Sequence, residues 1–137
     1  MANVEIQREA QLSPEEFLDV LHRSGLAERR PVGEPERIAA MAANGNLIIT
    51  ARADGLLIGV SRCVTDFAYC CYCSDLAVDR AYQAQGIGRR LLEATRASLH
   101  PQATLYLIAA PAAISYYEHI GMFRHDRCFA FLPEHKQ

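Results

Sequence analysis

The sequence predicts a single α/β layered domain built on a mixed sheet, and three observations carry that expectation. Strand-like runs flank Asp54-Gly55, a short hairpin signal that makes the middle of the chain antiparallel. Helical segments separate the later strands, and such a crossover brings a strand back parallel to its predecessor. A length of 137 residues suits one packed core, so residues 1–137 are expected to form one domain.

Val4-Glu5-Ile6-Gln7 alternates apolar and polar residues as a first strand. Ser13-Pro14-Glu15-Glu16 opens a helix: Ser13 is the cap, Pro14 suits the first turn, and Glu16 completes a capping box. Phe17, Leu18, Val20 and Leu21 give that helix an apolar face, and Gly25 ends it. Charge and the breakers Pro31, Gly33 and Pro35 make Ala27 to Pro35 a loop. A short helix over Glu36 to Ala43 follows, facing Ile38, Met41 and Ala42 inward. Leu47 to Thr50 and Leu56 to Val60 are the hairpin strands, and a turn near Asp66 leads to a long strand over Ala68 to Val78. Then come a helix over Gly86 to Leu99, a strand over Thr104 to Ala109, a helix over Ala112 to His119, a break at Gly121 and a last strand, Cys128 to Phe131.

Composition excludes several function classes. A formal net charge of -2 leaves no broad basic surface for nucleic acid. No apolar run approaches the roughly 20 residues of a membrane helix. Met-Ala-Asn-Val-Glu lacks the layout of a signal peptide, so a cytoplasmic location is expected. The odd count of five cysteines argues against a disulfide framework in that compartment. Cys70-Cys71-Tyr72-Cys73 invites a zinc reading, but zinc sites usually need two spaced ligand pairs. Free Cys as a small buried hydrophobe is the favoured reading, and no metal is expected. The five histidines show no ligand spacing.

One helix start is at odds with the usual charge pattern. Helix N-termini carry unpaired N–H groups and partial positive charge, so Asp and Glu belong there. Glu15 and Glu16 obey this rule, whereas the helix from Gly86 carries Arg89 and Arg90 in its first turn and no acid before Glu93. Gly86 and Gly88 let a ligand approach the backbone closely. These features describe an anion cradle; the alternative is a tight turn whose arginines point to solvent. A Walker loop is excluded because no Gly-Lys-Ser/Thr is present. The dinucleotide fingerprint is excluded because Leu91 stands where its third glycine belongs.

Gln83-x-x-Gly86-x-Gly88, preceded by the strand Asp75-Leu76-Ala77-Val78, resembles motif A of the GNAT N-acetyltransferase superfamily. Tyr116-Tyr117-Glu118-His119-Ile120-Gly121-Met122 is similar to a second block of that family, and the order of elements matches over essentially the whole chain. The resemblance implies a single-domain fold with a mixed, mostly antiparallel sheet, a splayed central strand pair and helices on both faces. It implies transfer of an acetyl group from acetyl-CoA to a primary amine by direct attack in a ternary complex. The backbone of Leu76, Ala77 and Val78 would bind the pantetheine arm. Amides from Gln83, Ala84, Gln85, Gly86, Ile87, Gly88 and Arg89 would hold the pyrophosphate. Tyr117 matches the family's proton donor to the departing thiolate, a task a phenol suits; without the resemblance it reads as a core aromatic beside Ile114.

Three positions depart from the family pattern. Ala110, followed by Pro111, stands where many members carry Asn, and Met122 replaces Phe. Ser74-Asp75 stands where some relatives carry a Glu-Asp pair. Asp75 is the catalytic candidate, to hold a cationic amine, or else it is satisfied by backbone groups at a bulge that the resemblance places in this strand; Asp66 is a second candidate at a turn. Strand parity groups Cys71 and Cys73 with Asp75, opposite Tyr72 and Ser74. A chain near the minimal length for such a fold points to a small-molecule amine as acceptor, with no nucleic acid or membrane partner. A protein or peptide amine and a non-catalytic acyl-CoA-binding module are the alternatives, and a homodimer is allowed for.

Overall fold

The computed structural model describes residues 3–133. Five strands form one sheet in sequence order: β1 (Val4–Glu9), β2 (Leu47–Ala53), β3 (Leu56–Thr65), β4 (Cys70–Val78) and β5 (Thr104–Leu107). The first three pairings are antiparallel and β4–β5 is parallel, so the sheet is mixed and mostly antiparallel. Helices α1 (Pro14–Ser24) and α2 (Pro35–Asn44) pack on one face, with Phe17, Val20, Leu21 and Ile38 buried against Ile48, Leu57 and Val60. Helix α3 (Ile87–Ala97) covers the other face, burying Ile87 and Leu91 against Leu47, Ile49, Ile58 and Cys63. A short helix, α4 (Ile114–His119), follows β5 on the α3 side.

Local sequence explains where these elements begin and end. Ser13 Oγ accepts the Glu16 N–H at 3.2 Å, and Gly25 closes α1 at φ 87°, a left-handed conformation that glycine adopts without a Cβ penalty. The capping box is only half formed, because the Glu16 carboxylate reaches Arg52 on β2 instead. The loop after α1 contains a 3-10 turn, Leu26–Arg29. Pro35 occupies the first turn of α2, which begins one residue earlier than expected and takes in Asn44. Another 3-10 turn, Pro111–Ala113, takes the first residues expected for α4.

Two expectations are corrected. The alternation along β4 breaks at Ser74, because Arg62 pairs with Asp75 while the next residue, Cys63, pairs with Cys73. Ser74 is therefore the extra residue of a β-bulge, which reverses the parity of everything beyond it. Cys71 and Cys73 face α3, whereas Asp75 and Ala77 face α1 and α2. The second correction concerns Cys128 to Phe131, which form no strand; Phe129 is 91% and Phe131 107% exposed. A strand needs a partner edge, and these residues pair with none of the five strands. The splayed pair thus lies at the end of the five-strand sheet.

Candidate active site

The parallel pair β4–β5 runs from Cys70↔Thr104 to Cys73↔Leu107 and stops there. From Ser74 to Val78, β4 keeps β3 on one edge and has no strand on the other. Such an edge offers unpaired backbone N–H and C=O groups to an extended partner. The divergence opens a cavity of about 110 Å³, lined by Tyr117, Leu76, Cys73, Leu107, Leu26 and Arg30 among others. That volume suits the reacting ends of two small groups, since a water occupies about 30 Å³ in the liquid.

The segment Gln83 to Arg89 lies beyond the free half of β4. Gln83 Nε2 donates to the Val78 carbonyl at 2.9 Å, tying the loop to the strand end. Ala84 (φ 65°) and Gly86 (φ 79°) are both left-handed, a backbone path that turns successive N–H groups toward a common point. The first α-helical bond of α3 runs from Arg90 N–H to Gly86 O at 3.0 Å, so the amides of Ile87, Gly88 and Arg89 precede it. The Gly86 cap provides no side-chain hydrogen bond, and no acid lies in the first turn. A Cβ at Gly88 would stand 3.1 Å from Tyr116 Oη, so a side chain there would crowd the tyrosine beside the start of α3. Arg89 contacts Glu93 at 3.5 Å in an exposed pair, while Arg90 reaches across to the Val4 carbonyl at 3.4 Å. The arrangement is an open nest of amides beside a guanidinium, which is the chemistry of anion binding.

Tyr117 projects from α4 into the cavity. It is half-buried and stacks edge-on against Tyr116, with ring centroids 5.3 Å apart. Burial pushes its phenol up to about 12, with neighbouring Cys73 and Tyr116 acting in the same direction. The hydroxyl therefore keeps its proton at neutral pH. No residue of α4 is fully buried, so the reading of Tyr117 as a core aromatic does not describe its position.

Asp75 lies elsewhere. Its side chain is 0% exposed, and its two oxygens are taken by Arg30 Nε and Arg62 Nε. Arg62 also donates to the Met41 carbonyl and Ser74 Oγ, and Arg30 to the carbonyls of Arg29 and Ser74. A carboxylate so enclosed has no face to offer an incoming amine; it anchors two guanidiniums instead. Asp66 has a structural task as well. Its Oδ1 accepts the N–H groups of Ala68, Tyr69 and Cys70, and these bonds hold its carboxyl below the usual range. Cys63, Cys71 and Cys73 are buried free thiols, as hydrophobe-like cysteines should be, whereas Cys70 and Cys128 are exposed, against that expectation. Among the described residues no group of three or more His, Cys, Asp or Glu could hold a metal ion, and no helix is long and apolar enough to cross a membrane.

The comparison with protein families falls on this same region. Residues 44–121, more than half the chain, match the model of the acetyltransferase (GNAT) domain. The chain belongs to the GNAT acetyltransferase family. Solved GNAT structures share its fold at low identity. An acetyltransferase of the GNAT family from Streptococcus pneumoniae TIGR4 superposes with a TM-score of 0.78 at 19% identity, covering 98% of this chain and 100% of that one. An aminoglycoside acetyltransferase from an uncultured soil metagenomic sample gives 0.68 at 19% identity, with 97% of each chain covered. An aminoglycoside N-acetyltransferase in complex with CoA gives 0.70 at 13% identity, covering 98% of this chain and 97% of that one. A comparison with curated proteins gives no match.

Three residues at this GNAT site were not anticipated. Arg30 and Arg62 enter through Asp75, and Tyr116 enters through Gly88. A signal for Arg62 exists in retrospect: a lone cation within Val60-Ser61-Arg62-Cys63-Val64 must find a buried acid. Arg30 sits in a charge-rich loop and carries no such mark.

Proposed function

We propose that this GNAT domain transfers an acetyl group from acetyl-CoA to a primary amine of a small molecule, by direct attack within a ternary complex. The observation that carries this reading is a coincidence in space. The cavity holding Tyr117, the unpaired edge of β4 and the uncapped start of α3 follow one another along the free half of β4, with Ser74 and Leu76 lining the cavity and Gln83 tied to Val78 at the far end. A phosphate-bearing thioester suits that sequence of features. The amides of Gln83 to Arg89 take the pyrophosphate, the backbone of Leu76 to Val78 pairs with the pantetheine amides as an added strand, and the thioester enters the cavity.

The amine nitrogen attacks the thioester carbonyl carbon, the carbon–sulfur bond breaks, and the amide forms. Tyr117 donates its phenolic proton to the departing sulfur and recovers one from water; a phenol carries that proton at neutral pH without any shift. The amine proton passes to water, since Asp75 is enclosed by arginines. No enzyme nucleophile is needed.

Tyr117→Phe tests the assignment. It should lower turnover about 100-fold, the range of general acid catalysis, while CoA affinity stays within about twofold. The tyrosinate absorbance of the variant should also lose the group that ionises near pH 12. Thiol release from acetyl-CoA measures the first and an alkaline titration the last. Unchanged turnover would remove Tyr117 from the mechanism.

A further inference from the structure

The cavity has two sides of different chemistry, and the side away from the coenzyme helix carries a charge. Tyr117 and Cys73 bound it from the α3 and α4 side. Leu26 and Arg30 bound it from the other, since Leu26 packs with the α1–α2 core and Arg30 binds Asp75, which faces that layer. A coenzyme whose pyrophosphate is held at the α3 start brings its thioester in along the first side, so an attacking amine arrives past Arg30.

Among the described residues, Arg30 is the one charged residue lining the cavity, and no carboxylate lines it. A guanidinium has five N–H donors. Three bonds are made within the protein, to Asp75, Arg29 O and Ser74 O, which leaves two donors without a protein partner among the described residues. The local charge is not neutralised, because Arg30 and Arg62 share the single carboxylate of Asp75. The nearest exposed acid of this segment, Glu28, faces Arg80 at 3.9 Å. A fixed guanidinium with free donors in a half-buried site matches a carboxylate, and it repels an acceptor bearing several ammonium groups.

We infer that the acceptor is a primary amine that also carries a carboxylate, as an amino acid does, with Arg30 holding that carboxylate beside the thioester. This rests on the acetyl-transfer reading above. It separates this chain from the aminoglycoside-acetylating proteins that share its fold, whose named substrates are polyamines. Leu26, Leu76 and Leu107 around Arg30 add an apolar wall suited to an aliphatic side chain.

The test compares leucine, leucinamide and isoamylamine as acceptors, together with a polycationic aminoglycoside, by thiol release from acetyl-CoA. Leucine should exceed leucinamide and isoamylamine in kcat/KM at least about tenfold, the effect of one charge-assisted contact. Arg30→Gln should collapse that ratio toward one. Because this variant also loosens Asp75, the ratio measured on the unaltered protein decides the matter alone. Equal or lower activity on leucine, a preference for the aminoglycoside, or equal loss on all amines in Arg30→Gln would each overturn the inference while leaving acetyl transfer standing. Absence of thiol release with every amine would sink the acetyl-transfer reading itself. In that event ligand-observed NMR with CoA present decides for Arg30: leucine binding about tenfold tighter than leucinamide supports it, and equal binding refutes it.

Discussion

Helices α1 and α3 are both eleven residues long, yet their first turns are finished in different ways. At α1, Ser13 accepts the Glu16 amide and Glu15 and Glu16 supply negative charge, so the protein satisfies its own helix dipole. At α3 the cap is a glycine with no side-chain bond, and the nearest charges are arginines. The same backbone physics is therefore closed internally in one place and left open in the other. The contrast teaches that a ligand site can be a stability term deliberately left unfilled.

Three substitutions break or sharpen that contrast. The largest effect is expected from Gly88→Val, which puts a branched side chain against Tyr116 Oη beside the start of α3. CoA affinity should fall about 100-fold, equivalent to about 2.7 kcal/mol, in a calorimetric titration, with the fold intact by circular dichroism. Arg89→Gln comes next. It removes one exposed charge beside the cradle, so CoA affinity should fall about threefold to tenfold and become less sensitive to salt. Ser13→Ala is the smallest for function. It should cost about 1 kcal/mol of stability in a denaturant melt and leave CoA binding unchanged. A matching loss of CoA affinity there would mean the two helix starts are not independent.

Much of this was legible in the chain because the signals are local. Ser13-Pro14 and Gly25 bound α1, Asp54-Gly55 turns β2 into β3, and the misplaced charge at Arg89 marks α3. The site's second half was not legible, because its partners are distant in sequence. Asp75 meets Arg30 across 45 positions and Arg62 across 13, and no spacing rule spans such gaps. A bulge in this strand was expected from the family resemblance, but its effect on parity escaped, because an added residue leaves no side-chain signature that tells which face Asp75 takes. Cys128 to Phe131 show the converse, an apolar strand-like run that pairs with none of the five strands.

The irregularity at Ser74 has an evolutionary consequence. By resetting sidedness within β4, it makes the strand two short modules with separate surroundings: thiols packed under α3 before it, and an ion-paired carboxylate under α1 after it. Substitutions in one module leave the register of the other intact. Were Ser74 drawn into the regular ladder instead of bulging from it, the two environments would exchange, driving Asp75 into the apolar layer and Leu76 out of it. Sidedness therefore depends on Ser74 staying outside the ladder, and its removal would leave Cys73 and Asp75 on the faces they now hold.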